Sequence, residues 1–162
     1  MIIHVPNKNT LIIDEFKLRC CVGKKGLNSY KKEGDYSTPK GLFNLRKLYF
    51  RKDRVGIPNC KLDKKSIKKD TAWCDDPKHQ KYNEEIKTKN KNLKENLYRK
   101  DLKYDYLISI SHNEIKTPGK GSAIFIHLTN EYKLTAGCIA LRKKDFEILL
   151  KLIDKKTKVK IG

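Results

Sequence analysis

No stretch of the sequence approaches the ~18 consecutive apolar residues of a membrane span, and no basic segment leading into an apolar core opens it. It therefore reads as a soluble protein with no stable membrane anchor and no visible export address. A C-x-x-C pair is also missing. The five cysteines (Cys20, Cys21, Cys60, Cys74, Cys138) are odd in number and two are adjacent, which excludes a disulfide framework and leaves at least one thiol free. Arginine is scarce, at six of the 38 basic residues, and arginine is the side chain that clamps phosphates and reads guanines. No nucleic-acid module is recognisable, and no internal repeat or βαβ alternation is present.

What the chain does have is length, charge and β-rich apolar runs. Its 162 residues suit one domain, 1–162, which buries roughly 70% of the surface of the unfolded chain. Hydrophobic residues are 38% and charged residues 35%, with a net charge of +19. Such a field draws anionic partners: nucleic acid, acidic lipid, or a carboxylate-rich polymer. Lysine is spread over loops and strands alike, which reads as a bias of the whole chain.

Most apolar runs read as strands. "MIIHV", "PNKN" and "TLIIDEF" form a hairpin pattern, and "KLRCCVG" continues it, with Cys20 and Cys21 as packing residues. "STPKG" is predicted to be a tight turn before "LFNLRKLYF". "YDYLISIS" and "SAIFIHL" are further strands, and "TKVKI" is the last. "DFEILLKLI" puts Phe146, Leu149, Leu150 and Ile153 on one helical face, with Asp145 as its N-cap. Residues 61–103 are charged and Asn-rich, and are predicted to be a surface excursion with short helical pieces. The fold class is mainly β with one or two helices and a charged insertion.

The chemistry concentrates near "LTAGCIAL". His127 closes a strand and Cys138 follows eleven positions later, beyond a polar loop. A thiol attacks as thiolate, and a histidine beside it lowers its pKa and takes its proton. The N–H groups of Gly137, Cys138 and Ile139 are candidates for an oxyanion hole. The bland alternative is a small buried cysteine.

"IFIHLTNEYKLTAGCIAL" resembles the signature of the L,D-transpeptidase (YkuD-like) catalytic domain, and "STPKGLF" resembles that family's upstream Thr-Pro-x-Gly-x-Phe stretch. The resemblance implies a β-rich catalytic fold in which Cys138 is the nucleophile, His127 the general base, and Thr135 and Gly137 shape the turn and oxyanion hole. It implies a peptidoglycan stem peptide as donor, attacked at its third residue with loss of the terminal D-alanine. The thioester then passes to an amine, making a cross-link that bears on cell shape, or to water, as in an L,D-carboxypeptidase. No cofactor and no metal is implied, and the cell envelope is the implied location, with the cytoplasm as the alternative for a chain without a visible signal. The family usually has His before the Gly-Cys pair and Arg two residues after it; here Ala136 and Ala140 stand there.

Other residues invite assignment. His112 and Asn113 follow a strand, either at the rim of the site as a substrate-binding pair or as plain loop residues. "WCDDPKHQKYN" is predicted to form a flap, with Trp73 packed underneath, Asp75 turning the chain, and Tyr82 and Asn83 facing substrate. Cys60, Cys74 and His79 supply only one visible cluster, short of the paired clusters of a structural zinc site. The expected protein is a monomer that acts on anionic stem peptides and does not bind nucleic acid. A reading from another class is a basic polyanion-binding module in which Cys138 is buried and inert to thiol reagents.

Overall fold

Strand alternation organises the molecule. A computed structural model describes residues 1–90 and 95–162. In chain order the elements are β1 (Ile2–Val5), β2 (Thr10–Ile13), β3 (Phe16–Cys21), β4 (Leu27–Asn28), β5 (Thr38–Pro39), β6 (Gly41–Phe50) and α1 (Lys52–Val55). They continue with β7 (Asp63–Ser66), β8 (Thr71–Trp73), β9 (Glu85–Lys87), β10 (Glu95–Asn96) and β11 (Tyr106–Ile110). The last are β12 (Phe125–Leu128), β13 (Ile139–Leu141), α2 (Lys143–Leu152) and β14 (Lys158–Ile161).

The main sheet runs β11-β12-β13-β3-β2-β1-β14-β6-β7, and β6 also pairs with β11. That extra pairing closes the strands from β11 round to β6 into a barrel-like ring. The ten-residue β6 makes this possible, because its first residues pair with β14 while Leu45–Phe50 pair with β11. Ile3, Val5, Leu11, Ile13, Leu48 and Ile126 are among the side chains in one continuous core. Helix α2 adds Phe146, Leu149 and Leu150 to it, and the Phe146 ring stacks on Tyr106 at 5.5 Å.

Three local expectations are corrected. Within the described part of 61–103 there are short strands and no helix: β7 joins the main sheet, and β10-β8-β9 form a small sheet of their own. Thr71 and Trp73 suit a pleated surface, and Ala72 between them is fully buried. "STPKG" is extended rather than a tight turn, because β5 pairs parallel with β4, with Lys40 N–H donating to Asn28 O. Pro39 fits there because an edge position asks for no donor. Asp145 lies in the first turn of α2, whose N-cap position is Arg142, without a side-chain cap. Cys20 and Cys21 alternate as neighbours in a strand must, yet both are buried.

Candidate active site

Strands β12 and β13 are parallel neighbours, with His127 opposite Ala140. Cys138 immediately precedes β13, and its sulfur accepts the Phe125 N–H at 3.4 Å. Phe125 and His127 are two apart on one strand, as are Cys138 and Ala140 on the other, so the period of two puts thiol and imidazole on the same face. The rings agree, since Tyr104 lies edge-on to both Phe125 and His127, and Cys138 packs into the cluster that holds Tyr104 and Phe125. Both Cys138 and His127 line a cavity of about 410 Å³.

The imidazole is oriented by its own backbone. Its Nδ1 is 2.8 Å from the Leu128 carbonyl oxygen, which can only accept, so Nδ1 carries the proton and Nε2 keeps a lone pair. Burial pushes His127 down to about 4. Burial likewise pushes the Cys138 thiol up to about 12, with the Glu95 carboxylate adding to the rise. The thiol donates to Ala123 O at 3.2 Å. The expectation that histidine lowers the cysteine pKa is therefore corrected: thiol and imidazole line the cavity as neutral groups, because desolvation is the largest cause of both shifts.

The turn before Cys138 is fixed by two threonines. Thr135 Oγ1 donates to Cys138 O at 2.6 Å and accepts the Gly137 N–H at 3.1 Å. Thr38 Oγ1 donates to Gly137 O at 2.7 Å and accepts the Gly23 N–H at 2.9 Å. Thus the two quoted motifs, far apart in sequence, are joined at the turn that carries Cys138. Gly137 has φ +152°, and a Cβ there would lie 2.8 Å from Ser37 O, so no larger residue fits. Its N–H is engaged by Thr135 rather than turned to an oxyanion. Ile139 is fully buried within β13.

The middle segment supplies much of the cavity wall, through Asp75, Glu95, Arg99 and Lys103. Burial, with the Glu95 and Glu33 carboxylates, holds Asp75 above the usual carboxylate range. Trp73 lies edge-on to Phe125 at 5.2 Å and donates Nε1–H to Asn83 Oδ1. Tyr82 does not face the cavity. It is buried, and its hydroxyl donates to Glu33. Asn83 is a clip: its amide donates to His112 O and Asn113 O and its oxygen accepts from Ala123 N–H. His112 and Asn113 line a second cavity, of about 570 Å³, which shares Lys31 with the first. Among the described residues no three His, Cys, Asp or Glu side chains group to hold a metal.

Sequence reading missed Lys31, Tyr104 and Thr38 as parts of this site. The i, i+4 spacing of Lys31 and Asp35 was one available signal, drowned by the abundance of lysine.

A barrel-like β domain that holds a cysteine and a histidine on one face of parallel strands defines a structural class, and comparison assigns it. The model of the L,D-transpeptidase catalytic domain (YkuD) matches residues 2–161, and the chain belongs to this family. A search of curated proteins returns no match. Among solved structures, the helical cell shape determining protein Pgp2 from Campylobacter jejuni is similar at TM-score 0.55 and 17% identity, covering 99% of this chain and 46% of its own. Its K307A mutant gives 0.55 and 19%, with the same coverage. At these identities the likeness concerns the fold, and the chain spans about half the length of those proteins.

Proposed function

We propose that the protein is a cysteine acyltransferase of the L,D-transpeptidase type acting on peptidoglycan stem peptides. The observation that carries this reading is that Cys138 and His127, whose Nδ1 is turned to the Leu128 carbonyl, lie on one face of paired strands and line one charged cavity. When the donor's third-residue carbonyl sits over Cys138, Sγ attacks the carbonyl carbon and the S–H proton passes to His127 Nε2. The tetrahedral adduct collapses to a thioester as the C–N bond breaks, and His127 returns the proton to the leaving D-alanine nitrogen. An amine acceptor then attacks the thioester to make a cross-link, or water attacks to make a trimmed peptide. Each acceptor loses its proton to His127 as the thiol is regenerated.

Membership of the family supports peptidoglycan as the partner. The similarity to a cell shape determining protein supports a role in shaping the cell wall, and hence work in the cell envelope. The polyanion-binding alternative has no need of a cavity at Cys138. Replacing Cys138 by Ala is expected to abolish D-alanine release from a purified tetrapeptide, read by mass spectrometry with and without an acceptor amine. Unchanged release from that variant rules the reading out. A carbapenem-type reagent is expected to add one mass increment, at Cys138 alone.

A further inference from the structure

The cations around the nucleophile are not equivalent. Lys24, Lys103 and Lys133 line the cavity but are exposed, and Arg99 is paired with Asp101. Lys31 is 7% exposed. Its stem lies against Gly121, where an added Cβ would be 3.2 Å from Cγ and Cε. Its Nζ donates to Asp35 Oδ1 at 2.5 Å and to Lys32 O at 2.9 Å. Asp35 is itself held by the Lys32 and Ser37 N–H groups and the Ser37 hydroxyl. The cation is therefore built in rather than draped over the surface.

Lys31 faces the nucleophile's turn. A Cβ placed on Gly137 would lie 3.7 Å from its Nζ, and its charge is one of those that act on the Cys138 thiol. An ammonium has three N–H donors. Two are used within the protein, and among the described residues no third acceptor is present. Ala136 and Ala140 bring only methyl groups to the same cavity, so neither can meet a carboxylate.

In the reaction proposed above, the residue that leaves carries a free α-carboxylate one Cα beyond the scissile nitrogen. That puts a negative charge a few bonds from the carbon that Cys138 attacks. We propose that Lys31 is the specificity-determining residue that receives this terminal carboxylate, so that only the last amide of the stem peptide is cut. An amide further inside the chain has no carboxylate at that place and leaves the third N–H of the buried ammonium without an acceptor. The inference rests on the proposed function for its substrate, but its test reads binding and not turnover.

The test uses the Cys138→Ala protein, a tetrapeptide with a free carboxyl end, and the same peptide as its C-terminal carboxamide. Calorimetry is expected to give about ten- to a hundredfold tighter binding of the acid, the range of a charge-assisted hydrogen bond. Adding Lys31→Met should erase the difference by weakening the acid alone, and Lys31→Arg should keep most of it. Lys31→Gln, which leaves a donor for Asp35, serves if the methionine variant does not fold. Equal binding of acid and amide by the parent, or equal weakening of both by the substitutions, overturns the proposal. Turnover by the unaltered protein is read separately. Release of D-alanine without an acid preference sinks the role of Lys31 alone, whereas an acid preference without release sinks the proposed reaction and leaves the carboxylate site standing.

Discussion

Cys138 and His127 are held neutral by burial, and this changes how their reactivity should be read. A thiol at about 12 rather than 9 carries about a thousandfold less thiolate at neutral pH than an unperturbed cysteine. Iodoacetamide is therefore expected to label Cys138 slowly at pH 7.5, with a rate that still climbs tenfold per pH unit at pH 10, followed by mass spectrometry. A plateau below pH 8 would instead report a thiolate–imidazolium pair. Slow alkylation thus does not mark an inert cysteine. In the proposed reaction an acyl donor would react by a different route, with Nε2 taking the proton as the S–C bond forms. Both residues could be picked out from the chain alone, since a histidine at a strand end and a cysteine after a glycine are local patterns. The neutral state could not, because it depends on Tyr104, Phe125 and the surrounding wall, which come from distant segments.

At the scale of elements, the two-residue β5 does more than its length suggests. Thr38 is fully buried and serves both Gly137 O and Gly23 N–H. Thr38→Val keeps the shape but leaves both groups unpaired. It is expected to cost about 2–3 kcal/mol in urea denaturation and to slow acylation of Cys138 by a carbapenem-type reagent. An unchanged acylation rate would show that the turn holds without β5. Strands β1 to β3, β11, β12, β14 and helix α2 were legible from alternation and the 3.6-residue stripe, since each buries a continuous apolar face. The short helical pieces expected within 61–103 are absent from its described part, where β8, β9 and β10 are two or three residues long, too short to show a period, and owe their form to pairings such as Ala72 with Ile86. Tyr82 and Asn83 were misplaced for a related reason: their orientation is set by Glu33, Trp73 and the 112–123 loop.

Over the whole molecule, the buried titratable groups give stability two edges. His127 binds its proton near pH 4 when folded and near 6.5 when unfolded. Between those values the unfolded chain holds more protons, so stability is full above 6.5 and drains away as pH falls. The loss is expected to reach about 2–3 kcal/mol by pH 4.5 in urea titrations, and His127→Asn should flatten that slope. A slope unaffected by the substitution would assign acid sensitivity elsewhere. At the other edge Cys20 and Cys138 sit near 12 and Cys21 near 11. Their unfolded thiols ionise from about 9, so stability falls as pH rises past that point. The placement of β14 between β1 and β6 has a consequence in time. Residues 158–161 are the keystone between the amino-terminal hairpin and the longest strand, so a nascent chain leaving the ribosome can shape its parts but cannot seal its wall until those residues emerge.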